Sequence, residues 1–539
     1  KMTIYIKLFI TCLFFLYTSD IYSQSISGKV SDFSNSDPLI GAVVKISGTS
    51  IGTLTDYDGT YLLESLSPGN YELEISYIGY TTLKIKNASV AKGENKVINV
   101  TLKVDGLTTE EITVESSPTL SNEQSLLTEQ KNSSKIQDGI SEQQIKRAPD
   151  ASASDVLKRV IGVNIVDNKY VFIRGTSERY NNTTLNGVEV PSTEADKKSF
   201  SFDLFPSKLL ENIIIAKSFT PDLPGNFSGG LVQLNTKDFV DQMIINFETG
   251  GSYLNGTTSK GNYYSYNAGQ EKLLFFNSGI DDGGRRIPSN FPSEKFTGKN
   301  NYGKTLRNNW MQENRKAPVN GGFQLSLGNR FNIADNPLGV LFSYTYRNGF
   351  ENSDIQRNEY NSDTTTLINY KGRSSKYTVL NGGLFNLNYK AGNNNKFSFK
   401  NTYSINSEDY TQFYEGQYKV VADYDRKLYG TEFIERSLLS SQISGSHYIS
   451  NLSSLNINWN ASYSESDRNE PDTKTTFYQR ELGTEDPFFT PLTTIPSANV
   501  GQRFYSKLKD IKRNFGTDFE MKFLKTGKRN FSKIKLGTF

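Results

Sequence analysis

Over its C-terminal half the chain alternates apolar and polar positions with a period of two. Phe397 and Phe399 fall on one side of a run, Ser398 and Lys400 on the other; Leu455, Ile457 and Trp459 oppose Asn456, Asn458 and Asn460 in the same way. Side chains of an extended strand point alternately to its two faces, so this pattern predicts strands with two unlike surfaces. Nine such strands are expected near residues 242–254, 321–332, 339–349, 377–390, 396–406, 431–448, 455–465, 510–523 and 533–539. The intervening lengths alternate as well. Long connections are expected after the first, third, fifth and seventh strands (255–320, 350–376, 407–430, 466–509), and short ones after the others (333–338, 391–395, 449–454, 524–532).

Upstream the pattern shifts to shorter units. Between Tyr170 and Lys237, brief β-prone runs such as Val171-Phe172-Ile173 alternate with turn chemistry. Asn186-Gly187 is a tight-hairpin signal, because both residues tolerate positive φ. Residues 148–160 read as a turn and a short helix, with Pro149 ahead of it, Ser152 or Ser154 as N-cap and Gly162 at its end. Residues 24–103 carry regular turn signals (Gly28, Asp37-Pro38, Gly48, Asp56–Gly59, Pro68-Gly69, Gly79) and predict a small β-sandwich. Residues 104–131 form a linker rich in Ser, Thr and Glu, holding one β-prone island: Thr109, Glu110, Glu111, Ile112, Thr113 and Val114. At the start, Lys1 and Lys7 flank the apolar run Leu8–Tyr17, which is too short to span a bilayer and reads as a signal peptide over 1–23.

Composition narrows the class. A chain of 539 residues is too long for one ordinary domain. Hydrophobic content of 36% and a mean hydropathy of −0.52 argue against a bundle of membrane helices, which needs several apolar runs of roughly 20 residues. They do not exclude a membrane β-barrel, whose alternating faces dilute hydropathy. With 31 Tyr and 34 Phe the chain has the rings that barrels place at membrane interfaces. A net charge of +3 makes no case for nucleic acid.

Candidate chemistry is sparse. Cys12 lies in the expected signal peptide, so the mature chain has no thiol or disulfide chemistry. The single histidine, His447, sits within a predicted strand and cannot build a His/Cys metal cluster. No serine is set in a nucleophile elbow and no phosphate loop is present. Residues 281–286 read as a solvated loop tip, residues 469–472 as a loop turn, and Asp56–Gly59 as a hairpin turn rather than a calcium loop. No enzyme, cofactor or metal is expected.

The run from Tyr170 to Lys237 resembles the plug domain of TonB-dependent outer-membrane receptors, at Arg174-Gly175, Leu185-Asn186-Gly187, Phe205-Pro206 and Thr220 through Gly230. Residues 28–80 resemble the carboxypeptidase-regulatory-like sandwich that precedes the plug in receptors of the Bacteroidetes type. The resemblance implies a mainly β chain: signal peptide (1–23), β-sandwich (24–103), linker (104–131), α+β plug (132–237) and the first part of an antiparallel transmembrane β-barrel (238–539). Nine strands do not close a bacterial barrel, whose plugged forms have about 22. An open edge in lipid is prohibitive, so the chain is expected to be an N-terminal fragment of a longer receptor.

The same resemblance implies the function and its residues. Thr109–Val114 is similar to a TonB box, an extended segment that adds as a strand to a partner's sheet. Arg174, with Gly175, would lock the plug to acidic residues of the barrel wall. Glu178, Arg179 and Tyr180 would form the ligand-facing plug apex. A scarce ligand (an iron–siderophore complex, an oligosaccharide, a peptide or cobalamin) would be imported across the outer membrane, driven by TonB with ExbB and ExbD, and with outer-membrane lipid around the wall. The sandwich and linker would lie in the periplasm. The alternative is a surface receptor that signals or adheres without import. Some oligosaccharide importers add a surface lipoprotein lid, for which this chain carries no evidence.

Overall fold

The structure is a computed structural model that describes residues 24–102, 123–237, 243–291, 302–449, 455–491, 500–526 and 530–538, leaving out 34–36, 48, 50, 78–79, 81, 92–93, 196, 267–268, 274–275, 290, 335 and 393. The chain divides into two units, Lys1–Glu115 and Ser116–Phe539. The expected signal peptide lies outside the described residues.

In the first unit two small sheets share one core. Thr60–Leu66, Gln24–Asp32, Asn95–Val97 and Val100–Leu102 make one; Gly52–Leu54, Val43–Ile46, Gly69–Ser76 and Leu83–Val90 make the other. Ile26 and Val30 of the first meet Val44, Leu73 and Ile75 of the second, all fully buried. Gly28 is required at a close approach, since a Cβ there would stand 1.8 Å from the Ile98 carbonyl oxygen. Asp56 organises the turn before Thr60: its Oδ1 accepts the N–H groups of Asp58 and Thr60 at 3.0 and 2.7 Å. These bonds hold its carboxyl below the usual range, the Thr60 hydroxyl contributing most.

The second unit opens with helix Glu123–Asn132. A five-stranded sheet follows, in the spatial order Val188–Glu189, Asn181–Leu185, Gly230–Thr236, Leu210–Ala216, Gln137–Ser141. Period-two burial fails along Leu210–Ala216, which is covered on both sides. The short helix Ala153–Leu157 starts at Ser152, where the Asp155 carboxylate accepts the backbone N–H of Ser152 in a capping box. Asn186 and Gly187 have φ of 52° and 84°, so they form the two-residue turn that their identities predict.

Nine strands then form one antiparallel sheet in simple sequence order: Ile244–Ser252, Asn320–Ile333, Asn336–Tyr360, Thr366–Ala391, Asn395–Tyr418, Tyr424–Ile449, Leu455–Glu481, Gln502–Thr526 and Asn530–Thr538. All nine expected strands are present, but the expected connections need correction. The third and fifth strands run on until only residues 361–365 and 419–423 are left to turn. Residues 469–472 are not a loop either. They lie in the seventh strand at a bulge between Glu470 and Thr473, where Asp472 has φ 57°. These extensions are mostly polar on both faces, with scattered rings such as Phe350, Phe413 and Phe477, so they show no regular alternation, while their backbone still pairs rung by rung.

Register fixes which side chains share a face. Gly382 faces Pro206 and Leu209 of the plug, and Asn406 donates to the Asp203 carbonyl at 3.1 Å. Leu341, Leu384 and Leu438 of the wall join the plug's own hydrophobic core. On the opposite face Phe385, Phe397, Tyr403 and Ile443 are exposed.

Candidate functional site

The strongest polar junction between plug and wall is built around Arg436 of the sixth strand. Its side chain is 1% exposed. One guanidinium edge meets Asp203, with Nη2 to Oδ2 at 3.0 Å and Nη1 to Oδ1 at 3.2 Å. Nη1 also donates to Ser201 Oγ at 2.6 Å, and Nη2 to Glu408 Oε1 at 2.7 Å. Glu194 Oε1 lies 3.6 Å from Nη1. A planar fork suits this task because it holds a carboxylate at two points and fixes its orientation.

Local structure delivers the plug's half. Asp203 sits in the one-turn helix Phe202–Leu204, between Phe202 and Leu204, both packed in the core. The Phe202 N–H donates to the Lys169 carbonyl at 3.0 Å, which ties this turn to the hairpin carrying Lys169. Lys169 then pairs with Glu408 at 3.0 Å, and Lys376 of the wall reaches the same carboxylate at 3.2 Å. Arg468 holds Glu470 at 2.9 Å and Glu194 at 3.8 Å. Four cations (Lys169, Lys376, Arg436, Arg468) thus face Glu194, Asp203, Glu408 and Glu470, with the Glu432 carboxyl in the same field. Burial, then the Glu194 carboxylate, push the Tyr170 hydroxyl well above its ordinary range, so it remains protonated beside the cluster.

The cluster is not fully satisfied. Arg436 Nε, Arg468 Nε and Glu194 Oε1 are buried and find no hydrogen-bond partner among the described residues. Buried charges cost several kcal/mol each unless well paired, of order 2–5 kcal/mol.

Other contacts pin the plug at its margins. Lys208 pairs with Glu248 of the first strand at 2.8 Å, and Glu189 with Lys512 of the eighth at 2.9 Å. Asp510 accepts the Ser192 N–H at 2.9 Å. A cavity of about 320 Å³ remains between residues 148–151 of the plug and wall residues that include Gly250, Gly322 and Tyr346.

The residues singled out by sequence fall as follows. Arg174 and Gly175 form a tight turn with φ of 52° and 76°, bridged by Ile173 and Thr176. Both are exposed, and among the described residues Arg174 makes no ion pair. The plug–wall ion pairs observed use other residues: wall Arg436 meets plug Asp203, and plug Lys169 and Lys208 meet wall Glu408 and Glu248. Glu178, Arg179 and Tyr180 form a one-turn helix in which Arg179 and Tyr180 are exposed; the Tyr180 carbonyl accepts from Ser228 and Gly229. Thr109, Glu110, Glu111, Ile112, Thr113 and Val114 lie outside the described residues. His447 is engaged structurally: its Nε2 accepts the Trp459 indole N–H at 3.0 Å, so Nδ1 carries the proton toward Asn395 Oδ1 at 2.8 Å.

Residues 281–286 are not a solvated tip. Arg285 and Asp281 are a buried pair at 2.7 Å, and Arg285 also reaches Asp409 of the fifth strand at 2.8 Å. The sequence reading missed Arg436, Asp203, Glu194 and Glu408 as well. One signal for them existed: Asp203 is two residues before Phe205-Pro206, amid apolar neighbours where an acid needs a partner.

Comparison with known proteins assigns the modules. Residues 26–114 match the CarboxypepD_reg-like domain, and residues 129–231 match the TonB-dependent Receptor Plug Domain. TonB-dependent receptor P26 of Formosa agariphila is 39% identical over 100 residues, which is 19% of this chain and 9% of that protein. TonB-dependent receptor P39 of the same organism is 40% identical over 77 residues, 14% of this chain and 7% of that protein. The matches thus span less than a tenth of either relative's length. Among solved structures, the ferric enterobactin receptor PfeA of Pseudomonas aeruginosa covers 74% of this chain and 61% of its own, at 11% identity and a TM-score of 0.31.

Proposed function

We propose that this chain, a CarboxypepD_reg-like domain followed by a TonB-dependent receptor plug domain on an antiparallel wall, works in TonB-dependent import across the outer membrane. The observation that carries the reading is the plug domain itself, seated on the wall through Leu341, Leu384, Leu438 and the Arg436 cluster. In this reading the plug closes the path while Arg436 holds Asp203. A ligand binds on the side away from the periplasm, with Glu178, Arg179 and Tyr180 on the plug's exposed rim. TonB, energised by ExbB and ExbD, adds to Thr109–Val114 as a strand and pulls. Hydrogen bonds of a strand are loaded together or one by one according to the direction of pull, so an extended segment suits a mechanical handle. The wall contacts lipid, and the CarboxypepD_reg-like domain and linker lie in the periplasm. The chemistry is binding and rearrangement, with no covalent step.

The test is capture by the partner. With cysteine in place of Glu111 and of residues in the strand-pairing edge of the TonB periplasmic domain, disulfide cross-links should form in cells. Deleting 109–114 should abolish uptake of whichever probe, ferric siderophore, maltooligosaccharide or cyanocobalamin, the parent imports. Uptake that survives the deletion would refute the box. A parent that imports none of these probes while adhering to them would favour the signalling or adhesion alternative.

A further inference from the structure

Described residues of the connection 253–319, among them Tyr264, Phe276, Gly279 and Arg285, pack on the face of the sheet opposite the plug. In the fifth strand Ser404, Asn406 and Glu408 share the plug's face, so Ile405, Ser407 and Asp409 point the other way. It is this second set that the connection covers. Gly279 sits against Ile405, Ser407 and Val379, its Cβ position 3.2–3.5 Å from their side chains. Asn381 donates to the Ser278 carbonyl, Tyr264 N–H to Ser375 Oγ at 2.8 Å, and Asn277 to the Tyr377 hydroxyl at 2.8 Å. Arg285 clamps the arrangement through Asp409 and lies 4.1 Å over the Phe433 ring. Phe276 lies against Tyr346 with ring centroids 4.4 Å apart and the rings tilted by 43°.

Burial along that face therefore changes abruptly. In the fourth strand Ser375, Val379 and Asn381 are buried, while Phe385 is 40% exposed. In the fifth, Phe397 and Tyr403 are 39% and 43% exposed, while Ile405 is 3%. In the sixth, Ile443 is 49% exposed and Phe433 0%. The exposed part is rich in rings and aliphatic side chains. Where it is polar it satisfies itself, as Asn401 does with Ser441. From 395 to 403 the strand rises about 3.3 Å per residue, and a tilt of about 40° makes the band roughly 20–25 Å tall. That height matches the apolar belt of an outer-membrane wall, about 25 Å.

We infer that lipid contacts only the lower band of this face, and that the described residues between Tyr263 and Arg285 form a protein collar that replaces lipid from Ile405 and Val379 upward. The inference rests on the outer-membrane reading above. The collar makes the upper wall two protein layers thick. It also withdraws this connection from the plug side, leaving ligand contact to the plug rim and to the other connections.

The experiment uses the protein as the cell inserts it, in isolated outer membranes. A phospholipid with a diazirine in its acyl chain marks residues in hydrocarbon; hydroxyl radicals mark residues in water; both are mapped by mass spectrometry. Expected is lipid labelling at Phe385, Phe397, Tyr403 and Ile443, with Val379, Ile405 and Phe433 protected from both probes. Lipid labelling or oxidation of Ile405 and Phe433 equal to that of Phe397 would overturn the collar while leaving the membrane reading intact. Absence of lipid labelling from Phe397 and Ile443 would overturn the lipid boundary together with the membrane reading. Releasing the clamp with Arg285→Ala should expose Phe433 to hydroxyl radicals at least severalfold; continued protection would overturn the collar's dependence on that clamp.

Discussion

Replacing Arg436 by Met removes the fork while keeping most of its aliphatic volume. Glu408 would keep Lys169 and Lys376 at 3.0 and 3.2 Å, and Glu194 would keep Arg468 at 3.8 Å. Asp203, with its side chain 8% exposed, would lose its only ion pair among the described residues. Breaking a buried pair by removing one partner costs about 3–5 kcal/mol, or roughly 10²- to 10⁴-fold in the population of released plug. Ser404 is fully buried on the plug's face of the wall, so Ser404→Cys, in a Cys12→Ser background, reports release by its rate of maleimide labelling. Arg436→Met should raise that rate by the same factor at low urea and lower the urea midpoint. If the cost arises from a bare Asp203 carboxylate, Arg436→Met with Asp203→Asn should recover about half of the loss or more. A labelling rate unchanged by Arg436→Met would refute the lock. A double variant no better than the single one would refute the assignment of the cost to Asp203.

Other consequences are local. Leu384→Ala empties a site 2% exposed where wall meets plug core; it should cost about 2–5 kcal/mol and raise Ser404→Cys labelling, whereas an unchanged rate would mean the leucine belongs to the wall alone. Burial raises the Asp155 carboxyl, but Lys158 and the N–H groups of Ala151 and Ser152 outweigh it and hold the group below its ordinary value. Its stabilisation is therefore full above the unfolded pKa of about 3.9 and lost as pH falls through the depressed folded value. Asp155→Asn should cost about 0.5–2 kcal/mol at neutral pH, and the gap between its urea midpoint and the parent's should narrow as pH falls below the ordinary carboxylate range; a constant gap would sink the argument. Gly28→Val drives side-chain atoms into the Ile98 carbonyl and should lower the thermal midpoint of the first unit, at a cost of about 1–3 kcal/mol; an unchanged midpoint would show that the 95–102 stretch can move away.

Much of this architecture is written in local patterns. Period-two alternation located nine strands because one face meets plug and the other is apolar and exposed, so the two demand different side chains. Asn186-Gly187 and Ser152 were legible for the same kind of reason: a positive φ or an orphan N–H is satisfied by a few residue types at fixed offsets. Where neither face is apolar the pattern falls silent, which is why the extensions to Tyr360, Tyr418 and Glu481 read as loops. The Arg436 cluster lay beyond any local signal. Asp203 and Arg436 are 233 residues apart, and they meet only because the register of successive strand pairs sets Arg436 opposite the plug. Arg285 read as solvated because a charged, glycine-rich run is most often a turn in water; its burial depends on Asp409 and Phe433, brought to it by a sheet face that the run itself does not encode. Alternation assigns each side chain to one of two faces, but which partner covers a face is decided by the assembled chain, through the cost of leaving charge or apolar surface uncovered.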